Sequence, residues 1–414
     1  MRIRSITCFF DPALVDYPTA LAQLSKFSQK LSDVLQPLGI EVQSRRVVTT
    51  PFPTYTSQMP QAQAREWILK MEAEAIRQGF AYMGCGPALT EYPESYSFIP
   101  ELLKLSKNTF TGAVIADRFA IYPEAVRAAA RVIVQAAPID VNGFANLQFA
   151  ALANVPAEVP FFPSAYHTIG SGLTFALAIE CADVVLEAFT GSSSLQNSRQ
   201  TMLVRLETFA DQIQKCIPEA SAGTGIRFAG FDFSPAPFPH DGCSLGGAME
   251  AVGQNRVGAD GALAAAAVIA DTLDAGRWPR AGFNGMMMPV LEDSVLARRA
   301  AEGTFSVKDL LLYSAVCGTG LDTVPIPGDS TEDEIAAVLF DVAALSVRLG
   351  KPLTARLMPI PGKKAGDQTN FDFDFFAPSR VLPLCGGKVA LPLNGAENIP
   401  LTPRSVHQRM RRRA

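Results

Sequence analysis

The residues best suited to chemistry fall in four clusters, each closing an apolar, strand-like run. FDFSPAP sets Asp232 and Ser234 ahead of prolines that forbid the strand to continue. GFNGMMMPVLED carries Asn284 before an apolar triplet, then the adjacent acids Glu292 and Asp293. VCGTGLDTVPIPGD surrounds Cys317 with small residues ahead of Asp322, and ARLMPIPGKKAGD holds Arg356 inside an apolar run, followed by Lys363, Lys364 and Asp367. Gathered carboxylates can bind a divalent cation through oxygen or work as acid and base. A guanidinium and an ammonium beside free backbone N–H groups suit a carboxylate or phosphate. A cysteine exposed at a glycine-rich loop tip is a candidate nucleophile.

Each cluster also has a purely structural reading. Asp232 and Ser234 fit a turn of the Asx type. Glu292 and Asp293 fit a helix N-terminus. Cys317 with Gly318 fits a buried thiol before a helix C-cap. Arg356 needs an acidic partner wherever it is buried, and Asp322 or Asp367 could supply it. In GLTFALAIECADVVLEAF, read as one apolar helix, Glu180, Asp183 and Glu187 fall at i, i+3 and i+7 along a solvent face. His167 and His240 read as structural.

Bringing these clusters together requires an α/β scaffold whose strand-end loops lie side by side. The sequence supplies the pattern: RIRSITCFF, IEVQSRRVVTT, FAYMGCG, TFTGAVIA and GFANLQFAALA alternate with helical runs, and strand-like pieces recur after a long polar helix through SLQNSRQTMLVRLETFADQIQKC. Thr331 with Glu334 forms a capping box, and Ser306 with Asp309 an analogous acidic helix start.

The chain has 414 residues, 48% hydrophobic and 18% charged, enough for a large core with little solvated surface. A net charge of -4 without a basic stripe argues against nucleic acid. GxGxxG after the first strand and GxxxxGK[ST] are both missing, so no nucleotide cofactor is expected. No spacing is a metal signature; a divalent metal stays open. Seven cysteines without CxxC pairs and no apolar leader lead to the expectation of a reduced, cytoplasmic protein. The longest apolar run, 261–270, reads as a core helix too short for a membrane span.

Taken with RIRSITCFF, the four clusters resemble the motifs of the DUF711 family, related to the UPF0210 proteins. The resemblance implies a pyruvate formate-lyase-like fold, as in glycyl radical enzymes: a ten-stranded α/β barrel with surrounding helices, entered by loops and assembled into homo-oligomers. The expected organisation is one domain over 1–400 and a basic flexible tail over 401–414. The family motifs fall on Asp232, Asn284, Glu292, Asp293, Cys317, Asp322, Asp329, Arg356, Lys363 and Asp367. In glycyl radical enzymes a cysteine loop meets a glycine near the C-terminus, whereas PSRVLPLCGG sets Pro383 at that place, so no glycyl radical is expected. The resulting expectation is a hydrolase or lyase acting on a small anionic metabolite. Cys317, Asp322, Asp232, Glu292 and Asp293 would be catalytic, and Asn284, Ser234, Arg356, Lys363 and Asp367 would bind the substrate. The alternative is a non-catalytic sensor of a small molecule using the same pocket.

Overall fold

Strand and helix alternate because apolar runs of period two repeatedly give way to amphipathic runs of period 3.6. The computed structural model describes residues 1–404 apart from 193, 254, 317, 388, 391, 392 and 394. It begins with β1 (Arg2–Phe10), α1 (Tyr17–Leu35), β2 (Arg45–Thr49), α2 (Pro53–Thr56), α3 (Gln61–Arg77), β3 (Tyr82–Ala88) and α4 (Glu94–Leu105). β4 (Thr109–Ala116), β5 (Ala120–Ile121), α5 (Pro123–Ala136), β6 (Phe149–Ala153), β7 (Thr174–Glu180), α6 (Ala182–Phe189) and α7 (Leu195–Ser221) follow. The remainder is β8 (Arg227–Asp232), α8 (Leu245–Gly253), α9 (Ala262–Asp274), α10 (Ser294–Glu302), α11 (Val307–Val316), β9 (Gly320–Pro327), α12 (Glu332–Leu349), β10 (Leu353–Ile360) and β11 (Ile399–Pro400).

The strands make one large sheet in the order β8-β7-β1-β2-β3-β4-β6-β10-β9, with β5 and β11 paired off this path. β1, β2, β3, β4 and β6 run parallel. The flanking pairs β7–β8 and β10–β9 run the opposite way. One face packs on the helices: Ile3, Ile6, Cys8 and Phe10 of β1 share a core with Leu21 and Leu24 of α1. On the other face the alternating positions of β1 are Ser5, Thr7 and Phe9, and Phe9 joins Val48, Phe110 and Phe162 in a separate cluster. Burial on both faces explains why these strands read as near-continuous apolar runs.

The expectation of one helix through GLTFALAIECADVVLEAF is corrected: β7 ends at Glu180 and α6 begins at Ala182. A five-residue apolar run, 175–179, buried on both faces has no period that separates strand from helix. Glu180 therefore closes a strand, apart from Asp183 and Glu187 on the helix. In GFANLQFAALA only Phe149–Ala153 is strand; Phe144–Gln148 is a 3₁₀ turn. GFNGMMMPVLED, read as strand-like, forms no regular strand. Its surroundings are nonetheless tied at both ends: Ala281 N donates to Phe231 O at 2.9 Å, and Val290 N to Asp322 O at 3.0 Å, so the segment runs from β8 to β9.

The glycines after Cys317 serve close packing, not an exposed tip. Gly318, Thr319 and Gly320 are buried. Gly320 has φ +96°, and a Cβ there would lie 2.1 Å from Thr354 O on β10. Cys317 itself, like residues 405–414 of the expected tail, lies outside the described residues. The Thr331–Glu334 capping box is reciprocal, and Ser306 and Asp309 bond one another at the start of α11. Among the described residues no helix is long and apolar enough to cross a membrane.

Candidate functional site

Two irregularities in the sheet aim the site's charged side chains. Between β1 and β7 the register skips Arg4: Ile3 pairs with Ile179 and Ser5 with Ala178. Between β9 and β10, Leu321 pairs with Ala355 and Val324 with Leu357, so β9 carries an extra residue where Asp322 and Thr323 stand. Thr323 has φ +41°, the left-handed conformation such a bulge requires. Bulges re-aim side chains that a regular strand would send elsewhere.

The outcome is a continuous row of alternating charges. Arg2 Nε donates to Glu180 Oε1 at 2.8 Å, and Arg4 Nη1 to Glu180 Oε2 at 3.1 Å. Arg4 Nη2 reaches Glu292 Oε2 at 2.8 Å, and Arg356 Nη2 reaches Glu292 Oε1 at 2.9 Å. Arg356 Nε ends the row on Asp322 Oδ1 at 2.6 Å. Burial pushes the Asp322 carboxyl up; the Arg356 guanidinium pulls it back, and Glu292 across that guanidinium pushes it up again. Burial disfavours the Arg356 cation, but Asp322 and Glu292 outweigh it and hold the guanidinium charged.

Arg4, Glu292 and Arg356 form the polar wall of a cavity of about 190 Å³. Gln43, Ser44 and Arg46 also line it, and the rest is aromatic and apolar, including Tyr82, Phe110, Phe161 and Phe162, with Phe373 and Phe375 contributed by the segment after β10. Phe375 also faces the Arg4 guanidinium at 5.9 Å. Ala377 N donates to Leu291 O at 2.7 Å, tying this aromatic segment to the residue before Glu292.

The cavity contains a third guanidinium, Arg46 of β2, brought there by parallel pairing with Thr7 on one side and Tyr82 on the other. Its Nε donates to Ser44 Oγ at 3.0 Å, and it faces the rings of Phe162 and Tyr82 at 5.2 and 5.6 Å. Among the described residues no carboxylate lies within ion-pair distance of it. Burial, reinforced by Arg4, pushes it down to about 9.

Of the residues singled out from sequence, the fold brings together Asp322, Glu292 and Arg356. Asp293 points elsewhere: Oδ1 accepts from Val295 N and Leu296 N of α10, and Oδ2 from Leu245 N and Gly246 N of α8. One carboxylate thus caps two helices. Asp232 holds a turn: Oδ1 accepts from Ser234 N, Ser234 Oγ and Asn284 N, while Oδ2 accepts from Phe283 N. Asn284, at φ +46°, completes the turn by donating to Phe231 O and Ala281 O and accepting from Trp278 Nε1. Asp232, Ser234, Asn284 and Asp293 do not line the cavity. Nor do Asp329, Lys363 and Asp367; Asp367 is exposed and accepts from Lys364 N within its own loop. His167 is buried with Nε2 toward the carbonyls of Ser171 and Gly172, while His240 is exposed and accepts from Gly242 N.

Sequence reading missed Arg4, Arg46 and Gln43, and it named Glu180 only as part of the solvent face of a helix. A usable signal existed for the first two, since charges interrupting the strand-like runs RIRSITCFF and SRRVVTT raise the same question of partners as Arg356. No group of three or more His, Cys, Asp or Glu side chains able to hold a metal occurs among the described residues.

Residues 1–374 match the family model described as Uncharacterised ACR (DUF711). A UPF0210 protein of Pyrobaculum islandicum is 30% identical over 396 residues, which cover 89% of this chain and 87% of the relative. One from Acetivibrio thermocellus is 27% identical over 403 residues, covering 88% and 86%. A third, from Pyrobaculum arsenaticum, is 36% identical over 254 residues, covering 59% of this chain and 55% of its own length, so the match spans just over half of that relative. These names state no activity.

Proposed function

The chain belongs to the DUF711 family, and on that footing we propose that it acts on a small anionic metabolite bound beside Arg46, as a hydrolase or lyase without a glycyl radical. The observation that carries this reading is Arg46, a half-buried guanidinium without an acidic partner among the described residues, in a cavity with aromatic walls. A fixed cation set between aromatic rings is complementary to an anion. Glu292 is the carboxylate lining the cavity; its oxygens are oriented by Arg4 and Arg356 and retain lone pairs to accept a proton from a bound ligand. Arg4 and Arg356 would stabilise negative charge developing on that ligand. Cys317 remains the proposed nucleophile or acid, and homo-oligomeric assembly remains part of the reading.

The architecture we infer is the ten-stranded barrel. Support comes from strand direction: five parallel strands flanked by two oppositely directed pairs, with residues 279–290 bonded to β8 and to β9. That segment would count as the tenth, irregular strand. The cavity would then lie inside the barrel, behind the aromatic segment 371–376.

A library of small metabolic acids, scored for both thermal stabilisation and turnover, tests the functional reading. Turnover lost in Glu292→Gln with stabilisation retained supports an enzyme. Stabilisation without turnover supports the sensor alternative, and neither effect with any acid would sink both.

A further inference from the structure

Resting on that reading, the charge balance of the cavity specifies its ligand more closely. The row Arg2–Glu180–Arg4–Glu292–Arg356–Asp322 alternates three guanidiniums with three carboxylates, and at its outer end Arg2 also reaches the exposed Glu41 at 3.1 Å. Glu292 attracts Arg46, but its two oxygens are engaged by Arg4 and Arg356. Arg46 is therefore the guanidinium on the cavity lining that has no carboxylate of its own among the described residues. A guanidinium does not shed its proton near neutral pH, so it is satisfied by recruiting an anion.

A second, independent observation lies on the same wall. Gln43 lines the cavity, and its buried Oε1 has no hydrogen-bond partner among the described residues. An unmatched buried acceptor costs stability unless a ligand or water donates to it.

We infer that the cavity takes a small monocarboxylate with a flat apolar body and a hydroxyl or N–H donor, the carboxylate meeting Arg46 and the donor meeting Gln43. The guanidinium fork matches a planar carboxylate bidentately. Its neighbours Tyr82 and Phe162 offer rings against which a flat body can stack. A second negative charge on the ligand would enter a site where every other cation already has its acid, next to Glu292. A volume of about 190 Å³ equals roughly six waters, which suits one ring with a short acid arm.

The test uses the full chain with four probes of shared body: mandelate, phenylacetate, the neutral phenylacetamide and the dianionic phenylmalonate. Titration calorimetry and melting curves should show mandelate binding more tightly than phenylacetate, phenylmalonate more weakly than either, and no binding by the amide. Arg46→Met should weaken mandelate by roughly 10- to 100-fold. The same variant should melt at or above the wild-type temperature, because it removes a half-buried charge that has no acidic partner among the described residues. If Arg46→Met does not fold, Arg46→Lys keeps the charge without the fork and should still weaken mandelate by about tenfold. Gln43→Leu should erase the difference between mandelate and phenylacetate. Phenylmalonate binding as tightly as phenylacetate overturns the monoanion inference but leaves an anion site standing. No binding by any probe overturns this inference, while equal binding of acid and amide, or full mandelate affinity in the folded Arg46 variants, overturns it together with the anion-site reading.

Discussion

Arg356 on β10 and Glu292, 64 residues earlier in the chain, bond at 2.9 Å through Nη2 and Oε1, and the same glutamate takes Arg4 of β1 through its other oxygen. One carboxylate thus joins the first strand to the tenth named strand. Glu292→Gln should unbalance the row and destabilise the protein by about 3 kcal/mol, the low end for breaking a buried pair, because Arg4 keeps Glu180 and Arg356 keeps Asp322. Urea unfolding measures this. A variant as stable as the wild type would mean that the row adds nothing to the fold.

Asp232 gives the second prediction. Removing its carboxylate strands two buried backbone donors, at Ser234 and Asn284, and a half-buried one at Phe283, and frees the turn in which Asn284 is held at φ +46°. Asp232→Ala should cost about 3 kcal/mol or more, at about 1–3 kcal/mol for each unsatisfied group less what water recovers. Asp232→Asn retains an acceptor oxygen and should cost less. Equal loss in the two variants would show that charge, not hydrogen bonding, holds the turn.

His167 carries a pH prediction. Burial lowers its pKa, although the carbonyls of Ser171 and Gly172 and the nearby Glu158 oppose that shift. The unfolded imidazole, near 6.5, then binds protons more readily than the folded one. Its contribution to stability is complete above about pH 6.5 and is lost as pH falls through the folded pKa. The imidazole proton resonance assigned to His167 by comparison with His167→Asn should titrate below about 6.5. A midpoint at or above that value contradicts the assignment of burial as the dominant influence.

Much of the framework was legible locally. The capping box at Thr331 and Glu334 rests on atoms three residues apart, and the alternation of strand with helix rests on periods of a few residues, so both can be read before any fold is known. Arg356 was legible as a question: a charge in an apolar run has to find an acid. Asp322 was among the acids considered and is one of its partners; Asp367 is not, because the loop after β10 leaves it exposed. The run ending at Glu180 misled for a local reason as well, since five apolar residues buried on both faces carry no periodicity.

Composition and pattern by themselves determined an α/β chain, its principal helices and the need to neutralise Arg356. Tertiary structure alone decided which charges meet. Strand order sets β2 beside β1 and β3, which brings Arg46 next to Tyr82, and bulges at Arg4 and Asp322 turn those side chains onto Glu180 and Arg356. Such partnerships depend on register between strands distant in sequence. A shift of one residue would send every side chain to the opposite face, and no local propensity encodes that choice.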